Sequence, residues 1–198
     1  LMKKLLSIGL ISAVLLSACN SYNMVLKSTD YDYKYEVAKE CYAAGEYTKA
    51  YQLLEELIIV MKGYDRGEES LFMLSMCYYY LNDYETAAIY LDRYVKSYPK
   101  GEYTELARFY SGKALYQQSP DPRLDQAPTY TAINMLQDFL DYYPYSDKRE
   151  EADNMIYDLQ DRLVQKEYDN ALLYYNLGEY NGNCHYGDIR NLHGTCYD

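Results

Sequence analysis

Gly45-Glu46-Tyr47-Thr48-Lys49-Ala50 and Asn82-Asp83-Tyr84-Glu85-Thr86-Ala87 are one turn written twice. In each, a residue that tolerates a left-handed backbone ends one helix, an acidic residue follows, and a tyrosine opens the next helix. Gly178-Glu179-Tyr180 begins the same motif again. The flanking segments agree as well. Before the turns, Tyr35, Ala38 and Tyr42 correspond to Tyr168, Ala171 and Tyr175; after them, Tyr98-Pro99 and Tyr143-Pro144 fall at the same offset from Ala87 and Ala132. Apolar residues recur at helical spacing between these marks, and glycine and proline fall only between the runs. Ala38, Ser75, Ala50, Ala87 and Ala132 are small where two helices must approach closely, and Leu54, Leu91 and Leu136 fill the adjacent holes. Self-similarity at about 34 to 45 residues is the period of helix-pair arrays. An irregular bundle would not put matching turns at matching offsets.

The pattern resembles tetratricopeptide repeats (TPR) and predicts an all-α, helix-pair solenoid. Repeats are expected at 31–62, 66–99 and 103–144, the third interrupted by a loop from Ser119 to Pro128. From Lys148 to Leu177 there is neither glycine nor proline. That stretch reads as one kinked helix or as two helices with a tight turn near Arg162. The expected organisation is a leader at 1–18, a polar tether at 19–30, the TPR array at 31–180 and an irregular tail at 181–198. The tail is rich in Gly, Asn and His and has no apolar stripe, where a further repeat should supply its second helix. It either covers the exposed face irregularly or marks a truncated or frameshifted chain, and the second reading fits its composition better.

At the other end, Lys3 and Lys4 precede an apolar run from Leu5 to Leu16, and Leu16-Ser17-Ala18-Cys19 closes it. A basic start, a run too short to span a bilayer and small residues before a cysteine resemble a bacterial lipoprotein signal. The resemblance implies cleavage before Cys19 and acylation there; each buried methylene contributes roughly 0.8 kcal/mol, so two or three chains anchor firmly. Asn20 rather than aspartate follows the cysteine, which favours the outer membrane.

Net charge is −11, and more negative still once Lys3 and Lys4 leave with the leader. Such a surface repels phosphates, which argues against nucleic-acid partners and against a polybasic membrane patch. With 29 Tyr against 3 Phe and no Trp, half-buried helix seams and grooves are expected to be built from tyrosine. Cys41 and Cys77 read as small buried hydrophobes without a disulfide. Cys184, His185, His193 and Cys196 lack the close spacing of zinc ligands. No cofactor or metal is expected. No nucleophile motif, phosphate loop or HExxH occurs. The acidic pairs Glu68-Glu69 and Glu150-Glu151 are expected in first helical turns, where the helix dipole favours them. The chain therefore reads as a non-enzyme.

One segment exceeds generic repeat sequence: Asp121-Pro122-Arg123-Leu124-Asp125-Gln126, with Thr129 beyond it as the expected N-cap. Arg123 is expected to fork onto Asp125 or onto a partner's carboxylate. Further on come Tyr143-Pro144-Tyr145-Ser146, Asp161-Arg162-Leu163, Glu167 and Tyr174-Tyr175. At these residues the chain resembles the BamD (YfiO) family, TPR lipoproteins of the outer-membrane β-barrel assembly machinery, over essentially residues 1–182. The resemblance implies an anchor at the periplasmic face of the outer membrane and binding to a POTRA domain of BamA. Contacts with other BAM lipoproteins and with the C-terminal signal of unfolded barrel substrates follow from it too. It makes Arg162 a partner-facing charge, with Arg123, Asp125 and Gln126 beside it as partner-binding residues; an ordinary Arg162–Asp158 helix pair is the competing reading. Tyr35, Tyr42, Tyr78, Tyr79 and Tyr116 are candidates to line a peptide groove or, singly, to be core. Two other functions compete with this reading. A glycan-binding surface lipoprotein of the starch-utilisation type needs insertions for which this chain has no room, and a regulator of a cell-wall enzyme leaves no sequence mark.

Overall fold

The computed structural model describes residues 22–177. The leader, Cys19, the turn at Gly178 and the tail with Cys184, His185, His193 and Cys196 lie outside the described residues. Within them the protein is all-helical and contains no strand. A short helix, α1, covers residues 22–26. It is followed by α2 (Tyr31–Ala43), α3 (Tyr47–Val60), α4 (Asp65–Tyr80), α5 (Tyr84–Ser97), α6 (Thr104–Gln118), α7 (Ala127–Tyr142) and α8 (Arg149–Leu177). Three helix pairs thus coincide with the three expected repeats. The chain divides into two compact units, Leu1–Ala114 and Leu115–Asp198, with the boundary inside α6.

The turns form as their residues dictate. Gly45 and Asn82 both take positive φ, 76° and 63°. After each, a backbone amide reaches back to the preceding helix: Glu46 N to Cys41 O at 2.9 Å and Asp83 N to Tyr78 O at 2.9 Å. Asp83 then caps α5 by accepting from Thr86 N. The pre-proline residues Tyr98 and Tyr143 end α5 and α7 in nearly the same conformation, φ −130° with ψ 66° and 65°. Proline bars the α region to the residue before it, so the same dipeptide stops both helices alike.

In the first unit α2 packs on α3, α3 on α4, α4 on α5, and α2 also meets α4. That neighbour set is the stacking of a helix-pair repeat. Ala38, Ala50, Ser75 and Ala87 have no exposed surface, and neither do Leu54 and Leu91 beside them. In the second unit α7 packs on α8, with Ala132, Leu136, Phe139, Ala152 and Leu159 fully buried.

Three features bear on the expected organisation. The tether is not free throughout: Val25 is buried, and Tyr22 and Leu26 pack against the core. Apolar residues at i, i+3 and i+4 give even this short helix one sticky face. Lys34, only 1% exposed, fixes its end by donating to Leu26 O at 3.2 Å while pairing with Glu56. Second, of the two readings of 148–177 the single helix holds: α8 is one continuous helix of 29 residues, about 43 Å long at 1.5 Å per residue. Third, α4 opens at Asp65, so Glu68 and Glu69 stand at its fourth and fifth positions rather than in its opening residues, and they act as acceptors. Glu68 takes the Tyr94 hydroxyl at 2.5 Å and Glu102 N at 2.8 Å; Glu69 takes the Tyr35 hydroxyl and Lys39.

Tyrosine seams hold the first unit together. Tyr47 stacks on Tyr80 at 4.6 Å, Tyr78 on Tyr90 at 5.4 Å, and Tyr103 on Phe72 at 4.6 Å. Burial, first among the causes, raises the Tyr22 and Tyr35 phenols to about 12 and those of Tyr42, Tyr78 and Tyr94 higher still. Cys41 and Cys77 are free, buried thiols; burial and the neighbouring Cys41 push Cys77 up to about 12.

Two outcomes follow from this packing. The folded chain keeps phenolic protons that the unfolded chain releases above about 10, so stability intact below pH 10 falls as pH rises through 12. An alkaline titration should show tyrosinate absorbance and loss of helix in one steep, shared transition; a gradual tyrosinate curve with helices intact would contradict this. A Cβ on Gly67 would lie 2.0 Å from the Met61 carbonyl oxygen. Gly67→Ala should therefore cost about 1–3 kcal/mol in urea unfolding, the range of overpacking.

Candidate partner-docking site

The 119–126 loop is built from its own polar residues. Asp121 accepts Arg123 N on its carboxylate at 3.0 Å and Leu124 N on its carbonyl at 2.9 Å, a tight turn that Pro122 pre-shapes. Gln126, 3% exposed, sits beneath. Its amide donates to Asp121 O at 2.9 Å and Leu124 O at 3.1 Å and accepts from the Thr129 hydroxyl at 2.7 Å. Thr129 is fully buried and also meets the Ser119 hydroxyl at 2.7 Å.

These contacts revise several expectations. Thr129 does not cap α7, because the helix begins at Ala127 with Gln126 before it; proline needs no amide partner in a first turn, so Pro128 lies inside the helix and the loop ends earlier. Arg123 does not reach Asp125. Its Nε lies 3.3 Å from Asp121, and the side chain is 81% exposed. Asp125 is exposed and accepts Ala127 N at 3.4 Å. Gln126 is interior, holding the loop rather than facing outward.

Arg162, from α8, ties the loop to the helix. It pairs with Asp158 at 2.6 Å, donates to Ser119 O at 3.4 Å, and lies over the Tyr116 ring with its guanidinium 5.0 Å from the centroid. Burial, then hydrogen bonding to Asp158, raises the Tyr116 phenol. One turn on, Lys166 donates to Leu124 O at 2.6 Å. Arg162 thus makes the helix pair and remains 29% exposed. Between the loop and α8 lies an open groove of about 640 Å³, lined by Pro122, Arg123, Lys166, Asp169, Leu172 and Leu173 among others. Glu167 has one carboxylate oxygen buried without a hydrogen-bond partner among the described residues.

Beyond Leu159, α8 buries no side chain, and Val164, Tyr168, Leu172, Leu173, Tyr175 and Leu177 are exposed. The five tyrosines proposed for a groove are not gathered into one. Tyr35 is buried, Tyr42, Tyr78 and Tyr79 are half-buried in first-unit seams, and Tyr116 supports Arg162.

A family model described as an outer membrane lipoprotein, YfiO, matches residues 28–183. The chain belongs to the YfiO family. No curated protein matches its sequence. The match covers every described helix from α2 to α8, so the pinned loop and the continuous helix are both parts of the YfiO region.

Gln126→Leu keeps the bulk but strips the loop of its amide. It should cost about 1–3 kcal/mol, the usual penalty for orphaned buried polar groups, and speed amide exchange at Arg123 and Leu124. Unchanged exchange would mean that the loop is held without it.

Proposed function

We propose that this YfiO protein is a lipid-anchored scaffold of outer-membrane barrel assembly, acylated at Cys19 and holding the periplasmic POTRA domain of a BamA-type barrel protein. The observation that carries this reading is the loop pinned to α8, with Arg123 exposed and the apolar continuation of α8 alongside. A fixed charged rim beside uncovered Leu and Tyr side chains has the composition of a protein-binding patch. Arg123 and Asp125 form the rim, Arg162 orders it and offers its remaining exposed edge, and Gln126 supports it from below. Other lipoproteins of the assembly and unfolded barrel substrates are the further partners in this reading. The anchor keeps encounters within the membrane plane, so modest contacts suffice. No step of the proposal requires catalysis, a metal or a cofactor.

Co-purification with BamA from detergent extracts tests it. Arg162→Glu should lower recovery of BamA while helicity stays at the parent level. Leu173→Glu, placed in the groove away from the loop's hydrogen bonds, should do the same. Full recovery with both variants would remove this face from the contact.

A further inference from the structure

The first unit carries a second surface, and the path of the tether says what lies against it. The Tyr22 hydroxyl donates to Lys49 O at 2.7 Å and reaches Gln52 Oε1 at 3.0 Å, and Lys49 lies over its ring. Tyr22 is thereby held at the start of α3, close to the Gly45 turn. From there α1 leads away from that turn, toward the Lys34 contact with Leu26 O. Only Asn20 and Ser21 separate Tyr22 from Cys19, three chain steps that reach at most about 11 Å at 3.3–3.6 Å per residue. The far edge of the unit begins at Met61, nine residues beyond Gln52 and about 14 Å along the helix. If Cys19 bears acyl chains, as proposed above, they enter the bilayer beside the edge formed by the Gly45 and Asn82 turns.

That edge is composed for such a neighbour. Tyr80 and Leu81 are 43% and 39% exposed, and Tyr47 and Tyr84 are half-buried beside them. Tyr47 stacks on Tyr80, and Tyr84 packs edge-on against Tyr79 at 5.4 Å. Tyrosine, an apolar ring with a wet hydroxyl, concentrates at the headgroup level of membranes. Two acidic groups of the edge are engaged locally, Asp83 capping α5 and Glu46 pairing with Lys49 at 2.7 Å, and Glu40 and Glu85 are exposed. Lys49, the cation in the Gly45–Ala50 turn, is held by Glu46.

We propose that the edge bearing Tyr47, Tyr80, Leu81 and Tyr84 rests in the headgroup layer of the bilayer holding the Cys19 acyl chains. This fixes how the helix pairs of the first unit stand on the membrane. The contact is aromatic, so zwitterionic headgroups suffice and added anionic lipid does not strengthen it.

The chain contains no tryptophan, so one introduced residue reports alone. Leu81→Trp and, at the opposite edge, Lys100→Trp are purified as full-length lipoprotein and reconstituted into phosphatidylcholine vesicles containing brominated lipid. The expected result is flotation of both, with loss of emission from Leu81→Trp and none from Lys100→Trp. Thr48→Trp, exposed on the same edge, is the second reporter should Leu81→Trp fail to fold. Flotation of both with equal or absent quenching would overturn the orientation and leave acylation standing. Failure to float, with an intact mass lacking acyl chains, would overturn acylation and the orientation with it.

Discussion

Close approach of helices at a few small side chains is the constraint on which this fold depends. Helix axes come within 8–10 Å only where the crossing residues leave room. Here Ala38, Ala50, Ser75 and Ala87 in the first unit, and Ala132 and Ala152 in the second, are completely covered. Everything larger is arranged around those points. Leucines occupy the spaces beside them, and tyrosines fill the outer seams, where a ring can be buried while its hydroxyl finds a carboxylate. A bulkier residue at any of these crossings would push the helices apart and open the seams. Tyrosine serves both depths: Tyr35 and Tyr94 are buried with their hydroxyls on Glu69 and Glu68, whereas Tyr42, Tyr78 and Tyr79 are half-buried.

Periodic and local signals were legible in the sequence, whereas long-range polar pairings were not. The turns at Gly45 and Asn82 and the pre-proline stops could be read because backbone conformation follows from one or two residues. Glu68 illustrates the other case. Its place near the start of α4 is a local property, but the Tyr94 hydroxyl that it accepts lies 26 residues away, beyond what spacing can encode. Tyr22, Val25 and Leu26 were hidden by the polar residues around them, since three apolar side chains fall below any periodicity threshold. For the loop, the residue types were the right ones and their partners were not. Aspartate two residues before Arg123 proved a better acceptor than the one two residues after, because the tight turn folds Arg123 back on Asp121.

The YfiO match and the geometry of the second unit describe one object at different scales. The family places the chain among outer membrane lipoproteins; the structure shows a rigid loop and a helix that continues past its own packing. An apolar helix face and a loop held by buried amide hydrogen bonds suit recognition of folded surfaces, in which preorganisation lowers the entropic cost of association. The first unit, by contrast, offers tyrosine seams closed by hydrogen bonds to carboxylates and a docked tether.

Arg162 and Lys166 both grip loop carbonyls, and Leu172 and Leu173 lie less than two turns further along the same unbroken rod. A rod of that kind has no hinge at which movement can be absorbed. Displacement of the rod at Leu172 and Leu173 is therefore displacement at Ser119 and Leu124 as well, and the loop and the outer turns of α8 move as one piece.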